Sequence, residues 1–146
     1  MTAFKRHHGT TQASANRMFE GNIDATMGSG ELGQGFYTGE YFYEAVAWTN
    51  HAHKRKPKAI LIIEIQELDF WNLSVSSMDY HETVRLMQYL KANSKTSSYT
   101  KGVDVIWADI VGATHRSIHG DQMKFEKGTS ETLLNGDSVY RSVTPV

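Results

Sequence analysis

Gly33-Gln34-Gly35-Phe36-Tyr37-Thr38, with the run from Tyr41 to Trp48 behind it, restricts the fold of this chain more than any other stretch. Glycines flank a single residue, an aromatic pair follows, and a helical pattern opens a few positions later. The spacing predicts a tight turn, a very short strand, and a helix that folds back over the strand. Tyr37 and Trp48 lie eleven positions apart, a path of one turn and two helical turns. Such a path can set two flat rings face to face across a slot.

The helix is expected from Glu40 to about Lys54. Tyr41, Ala45 and Trp48 fall on one face at i, i+4, i+7, and Phe42 and Val46 form a neighbouring stripe. Pro57 separates it from Lys58 to Gln66, whose β-branched content predicts a central strand buried on both faces. Upstream, Ala3 to His8 reads as a short strand ending in His8-Gly9-Thr10. A helix then runs from Thr11 to Glu20, with Gly21 as its stop. Asn22 to Gln34 holds three glycines and no periodicity, so it is a loop, and one long enough to suggest a functional role.

Downstream, Leu68 to Val75 is a weaker strand or an extended loop. Asp79-Tyr80-His81-Glu82 has capping-box spacing, and Val84, Met87 and Leu90 carry a helix stripe to about Ala92. Asn93 to Gly102 is a polar connector, Val103 to Val111 a buried strand, and His115 to Gly120 a loop. Gln122 to Glu126 alternates, with Gln122, Lys124 and Glu126 on one face of a strand and Met123 and Phe125 on the other. Ser130 to Leu134 forms a single helical turn and Val139 to Val143 an edge strand. Strands outnumber helices and the helices cluster early, so the class is α+β.

Length and charge narrow the function classes. A chain of 146 residues reads as one domain, 1–146, able to bury a core unaided. The absence of cysteine removes disulfide and thiolate chemistry and fits a reducing compartment. A net charge of −1 gives no global attraction to nucleic acid or anionic lipid. The longest apolar run, Ala59-Ile60-Leu61-Ile62-Ile63, falls far short of the roughly 18 residues of a membrane span. The basic N-terminus lacks an apolar segment behind it, so no secretory signal is expected.

The ordered set His8-Gly9-Thr10, Gly35-Phe36-Tyr37-Thr38, Ala45 and Trp48 on the next helix, and a strand opening at Gln122 resembles the ADP-ribosyltransferase superfamily. The similarity is to the branch of diphtheria toxin and the poly(ADP-ribose) polymerases, and within it to small bacterial toxin-type domains. It covers most of the chain, from His8 to about Leu134. It implies a split β-sheet core, two packed antiparallel sheets with a few flanking helices. It also implies NAD+ as substrate, with no metal.

By that resemblance, His8 hydrogen-bonds a hydroxyl of the adenosine-side ribose. The Gly9 backbone grips the nicotinamide carboxamide, and Thr10 supports the histidine strand or touches the ribose. Tyr37 stacks on one nicotinamide face and Trp48 closes the other, with Gly35, Phe36 and Ala45 completing the cofactor-binding set. Members of the family usually open the third strand with glutamate, which holds the nicotinamide-ribose 2′-hydroxyl and stabilises the developing sugar cation. Here the residue is Gln122, which can hydrogen-bond a ribose but carries no charge and cannot act as a base. Glu126 shares its face but lies about 13 Å further along, and Asp121 points to the opposite face. The implied activity is mono-ADP-ribosyl transfer from NAD+ to a macromolecular acceptor, protein or RNA, by a toxin or effector. Such a protein would act in the cytoplasm of the producing or target cell, after delivery as a secreted effector in the second case. An immunity protein or antitoxin would be its partner. The alternatives are an NAD+ glycohydrolase with the same site, or a catalytically silent NAD-, ADP-ribose- or RNA-binding module on this fold.

Other readings attach to other residues. Gly28-Ser29-Gly30-Glu31-Leu32-Gly33 matches the glycine spacing of dinucleotide-binding loops, but a strand rather than a helix is expected after it. His51, His53, Lys54, Arg55, Lys56 and Lys58 form a basic patch at a helix C-terminus. That patch is either a solvated face or a contact for phosphates or RNA. His7-His8 and His51-x-His53 lack further ligands at zinc spacing.

Overall fold

The computed structural model describes residues 2–112 and 120–146. The expected loop from His115 to Gly120 thus lies, but for Gly120, outside the described residues. In chain order the elements begin with β1 (Ala3–Thr11), α1 (Gln12–Phe19), β2 (Phe36–Gly39) and α2 (Phe42–Ala52). β3 (Lys58–Gln66), α3 (Glu67–Trp71), β4 (Val75–Met78) and α4 (Tyr80–Ala92) follow. β5 (Val105–Asp109), β6 (Asp121–Phe125), α5 (Gly128–Asn135) and β7 (Tyr140–Pro145) complete the chain. The class is α+β, with seven strands and five helices among the described residues.

Two compact units divide the chain. The first comprises Met1–Ile23, Thr38–Asn72 and Thr132–Val146. Its central strand is β3, antiparallel to β1 from Ala3↔Gln66 to Thr11↔Lys58 and to β7 from Ala59↔Pro145 to Glu64↔Tyr140. Ala59, Ile60, Leu61, Ile63 and Ile65 are fully buried, as a strand paired on both edges and covered on both faces requires. Thr11 caps α1 by accepting from the Ser14 amide at 3.2 Å, and Gly21 (φ +95°) follows the last turn. The Arg141 guanidinium donates to the carbonyls of Phe19, Leu134 and Gly136, which satisfies otherwise orphaned helix-end carbonyls. Leu68 to Trp71 is helical, not extended. Burial of Phe70 against Phe4, with ring centroids 4.9 Å apart, fixes this turn where propensity alone is ambiguous.

The second unit comprises Asp24–Tyr37 and Leu73–Glu131. β5 pairs antiparallel with β6 and parallel with β4, so the pairing is mixed rather than wholly antiparallel. α4 makes the crossover that a parallel neighbour needs. Its start is the expected capping box: Asp79 accepts from the Glu82 amide at 2.8 Å, and the Glu82 side chain reaches back to the Asp79 amide. Leu32, Ile106 and Ala108 form a buried cluster against which Tyr37, Met78, Leu86 and Val103 pack. The last helix is longer than the single turn expected, since it begins at Gly128 and runs to Asn135.

Asp104, just before β5, ties three segments of this unit together. Its carboxylate accepts from the Ser74 amide (2.9 Å), the Ser74 hydroxyl (3.0 Å) and the Thr129 hydroxyl. Burial disfavours its charge, but these donors outweigh burial and hold its pKa below the ordinary carboxylate value. A depressed folded-state pKa adds stability above the unfolded value, which is lost as pH falls through the folded one. Asp104→Ala should therefore cost about 1–3 kcal/mol at pH 7. In urea titrations across pH 7 to 2, the gap to the unsubstituted protein should narrow below about pH 3.9. A gap independent of pH would show that the carboxylate's charge is irrelevant.

Candidate active site

In the first unit the pleat of β1 decides which groups face α2. The His7 ring meets Phe42 edge to face at 5.9 Å. A Cβ built on Gly9 would stand 2.3 Å from the Ala45 carbonyl oxygen and 3.1 Å from Thr49 Cβ. His7 and Gly9 thus face the helix, and alternation turns His8 and Thr10 to the other side of the strand. Arg6, of the same parity as His8, donates there to the Thr38 hydroxyl and carbonyl, each at 3.1 Å. The close approach of α2 is itself a reason for glycine at position 9, beside any approach of a ligand.

The helix packs through Ala45 and Thr49, whose hydroxyl donates to the Thr10 carbonyl at 2.9 Å. The expected stripe runs from Tyr41 through Ala45 to Trp48, but Trp48 is 51% exposed. Ala45 therefore lies against β1 where the sequence puts it, while Trp48 is half-exposed and His8 lies on the face of β1 opposite α2. His7 is the buried histidine of the pair. Its burial lowers the imidazole pKa, opposed by the Gly39 carbonyl 3.4 Å from Nδ1.

In the second unit the segment before β2 is the loop expected from the glycines. It turns without a helix and leads into a strand, so the dinucleotide spacing at Gly28 to Gly33 lacks the helix that such a site needs. Gly33 has φ +94°, a left-handed backbone disfavoured for other residues. Next to it, the Gln34 amide donates to the Tyr99 carbonyl at 2.9 Å. The Tyr37 hydroxyl accepts from the Leu32 amide at 3.0 Å and donates to the Gly33 carbonyl at 2.5 Å, which anchors the ring to its own loop. Gly30 lies against that ring: a Cβ there would stand 2.8 Å from Cζ and 3.1 Å from both Cε atoms. Burial drives the Tyr37 phenol pKa far up, so it stays protonated. Phe36 is buried, with its ring centroid 6.4 Å from that of Phe125.

The polar face of β6 holds this loop. Gln122 is only 6% exposed, so it is not a solvated strand residue. Its Nε2 donates to Glu31 Oε1 at 2.9 Å and to the Asp109 carbonyl at 3.0 Å. Both partners are acceptors only, which fixes the amide orientation by chemistry. Its Oε1 accepts no hydrogen bond from the described residues. Glu31 in turn accepts from the Val111 amide at 3.1 Å and from the Gly112 amide.

Two residues along β6, the fully buried Lys124 donates to the Leu32 carbonyl at 2.6 Å and pairs with Glu126. Burial lowers its ammonium pKa, and Glu126 opposes that shift. Glu126 also accepts from the amides of Lys101 and Gly102. Its carboxylate is thereby occupied in holding Lys124 and the loop before β5. Asp121 accepts from Trp107 Nε1 at 2.8 Å.

The expected site residues therefore fall in two groups. Gly9, Thr10, Ala45, Trp48 and His8 belong to the first unit, and Gly35, Phe36, Tyr37, Gln122 and Glu126 to the second. Sequence reasoning missed Glu31 and Lys124. The available signal was an acidic residue inside a glycine loop and a lysine alternating in phase with Gln122. Residues 51–58, from the last turn of α2 to the first residue of β3, form an exposed or partly exposed basic stretch. Among the described residues, no group of three or more His, Cys, Asp or Glu could hold a metal ion, and no helix is long and apolar enough to cross a membrane. No family model matches the chain, no curated protein matches it, and no solved structure matches its fold.

Gly9→Ala should cost about 1–3 kcal/mol by overpacking against α2. Thermal unfolding without any ligand checks this. An unchanged melting temperature would mean that the helix backs away at no cost and that packing does not demand glycine there.

Proposed function

We propose that this chain is a mono-ADP-ribosyltransferase of toxin or effector type, acting on NAD+ and a protein or RNA acceptor. The observation that carries the reading is the ordered set His8-Gly9-Thr10, Gly35-Phe36-Tyr37-Thr38 and Gln122 near the start of a strand. The buried amide of Gln122, whose Oε1 accepts from none of the described residues, supports it, because a ribose hydroxyl is a donor that such an oxygen can accept from. The finer fold reading, a split sheet of ADP-ribosyltransferase type, belongs to this proposal. So do action in the cytoplasm of the producing or target cell and a neutralising immunity partner.

The chemistry asks for few groups. The bond between the nicotinamide nitrogen and ribose C1′ breaks, and its electron pair leaves on neutral nicotinamide. The acceptor nucleophile bonds to C1′ and gives its proton to solvent. Positive charge develops on the sugar between those events, so an acceptor at the ribose and a lowered local potential favour reaction. In this reading His8 holds the adenosine-side ribose, Gly9 the carboxamide, and Gln122 the 2′-hydroxyl of the nicotinamide ribose. Tyr37 supplies an aromatic face to the pyridinium, worth about 0.5–2 kcal/mol, and Trp48 offers an exposed second ring.

Incubation with nicotinamide-labelled and adenylate-labelled NAD+ plus whole-cell lysate tests the reading. Nicotinamide should be released catalytically, and the adenylate label should follow protein or RNA. His8→Ala and Gln122→Ala should each lower the rate by about 100-fold or more. Free ADP-ribose without labelled macromolecule would indicate hydrolysis instead. No nicotinamide release, or full activity in His8→Ala, would refute the transferase.

A further inference from the structure

We infer that Glu31 is a positioning residue for Gln122: its carboxylate fixes the amide with Oε1 turned toward the substrate and places behind it the negative charge that the amide lacks. This rests on the transferase reading above. The geometry is one-sided. Nε2 is held by two groups that can only accept, Glu31 Oε1 and the Asp109 carbonyl, so the amide cannot flip without setting oxygen against oxygen twice. Glu31 is itself anchored by the amides of Val111 and Gly112, so its charge is held in place rather than left on a mobile side chain.

The arrangement also accounts for the residue type at position 122. A glutamate there would face the Glu31 carboxylate and the Asp109 carbonyl with no proton to offer. Two carboxylates at hydrogen-bond distance cannot both ionise. Position 122 takes an amide because position 31 holds the carboxylate, and the two divide the tasks of one glutamate. Gln122 accepts from the ribose hydroxyl. Glu31 polarises the amide through its N–H, which makes Oε1 a stronger acceptor and lowers the potential where the sugar cation forms. The other nearby carboxylates are engaged elsewhere, Glu126 with Lys124 and Asp121 with Trp107.

The test uses the full chain and nicotinamide release from NAD+. Glu31→Gln should lower kcat by about tenfold to a hundredfold, by analogy with outer-shell substitutions, and leave KM within threefold. Gln122→Glu alone should be at least as damaged. The exchange E31Q/Q122E restores one carboxylate facing one amide and should recover at least tenfold over Gln122→Glu. A residue that only ties the loop to Val111 and Gly112 would give no such rescue. Should Glu31→Gln fail to fold, Glu31→Asp serves, since it keeps the charge but withdraws it from Gln122 and should lower kcat in the same way. Wild-type kcat in a folded Glu31 variant, or an exchange no better than Gln122→Glu, would overturn the inference and leave the transferase standing. Absence of nicotinamide release from the unsubstituted protein would remove both. In that case a double-mutant cycle on melting temperature still reports whether positions 31 and 122 are coupled.

Discussion

The second unit depends on a buried cation. Lys124 has no exposure, and an ammonium taken out of water is tolerated only where its hydrogens find partners. The partners are a carbonyl of the glycine loop, at Leu32, and the carboxylate of Glu126. Its ring contact with Tyr99, at 5.4 Å, closes a further side. Removing one member of such a buried pair typically costs about 3–5 kcal/mol, because the other is left uncompensated. The loop is thus part of the solvation shell of Lys124, and the strand cannot keep its lysine without it. Gln122 grips the same loop one residue earlier, at Glu31. Two side chains of one strand face convert a glycine-rich segment with no regular structure into a fixed wall.

Much of the fold is legible in the sequence because its signals are local. Asp79 and Glu82 lie three residues apart and form the capping box that their spacing implies. Pro57 and the β-branched run behind it delimit β3 at Lys58–Gln66, and Thr11 and Gly21 bracket α1. Where the deciding partner is distant, the sequence is silent. Leu68 to Trp71 has the composition of a strand, yet Phe4, more than sixty residues earlier, captures Phe70 in a helical turn. The α2 stripe has two readings of equal periodicity. The backbone of β1 at Gly9 selects the one through Ala45 and Thr49, which leaves Trp48 at the surface.

The candidate site shows the same division. The alternation from Gln122 to Glu126 is real, and Gln122 and Lys124 do share a face. A period of two, however, does not distinguish a polar face covered by water from one covered by a polar loop. The second holds here, and only the contacts with Glu31 and Leu32 reveal it. Glu31 was visible in the sequence only as one more residue in a loop. Its partners are 80, 81 and 91 positions away, beyond the reach of any spacing argument.

The amide at position 122 therefore says little about charge when taken alone. A motif records which side chain occupies a position, whereas a reaction that builds up positive charge responds to the potential there, whatever residue supplies it. In this unit a neutral side chain carries the acceptor, and a carboxylate from another segment, one hydrogen bond away, carries the charge. The pair is exclusive in both directions. Glutamate at 122 would set two anions together, and glutamine at 31 would leave two donors facing each other or an amide free to turn. Substitution at either position alone is penalised by the other, so the two residues form one unit and the charge beside an amide has to be read from its partner rather than from the amide itself.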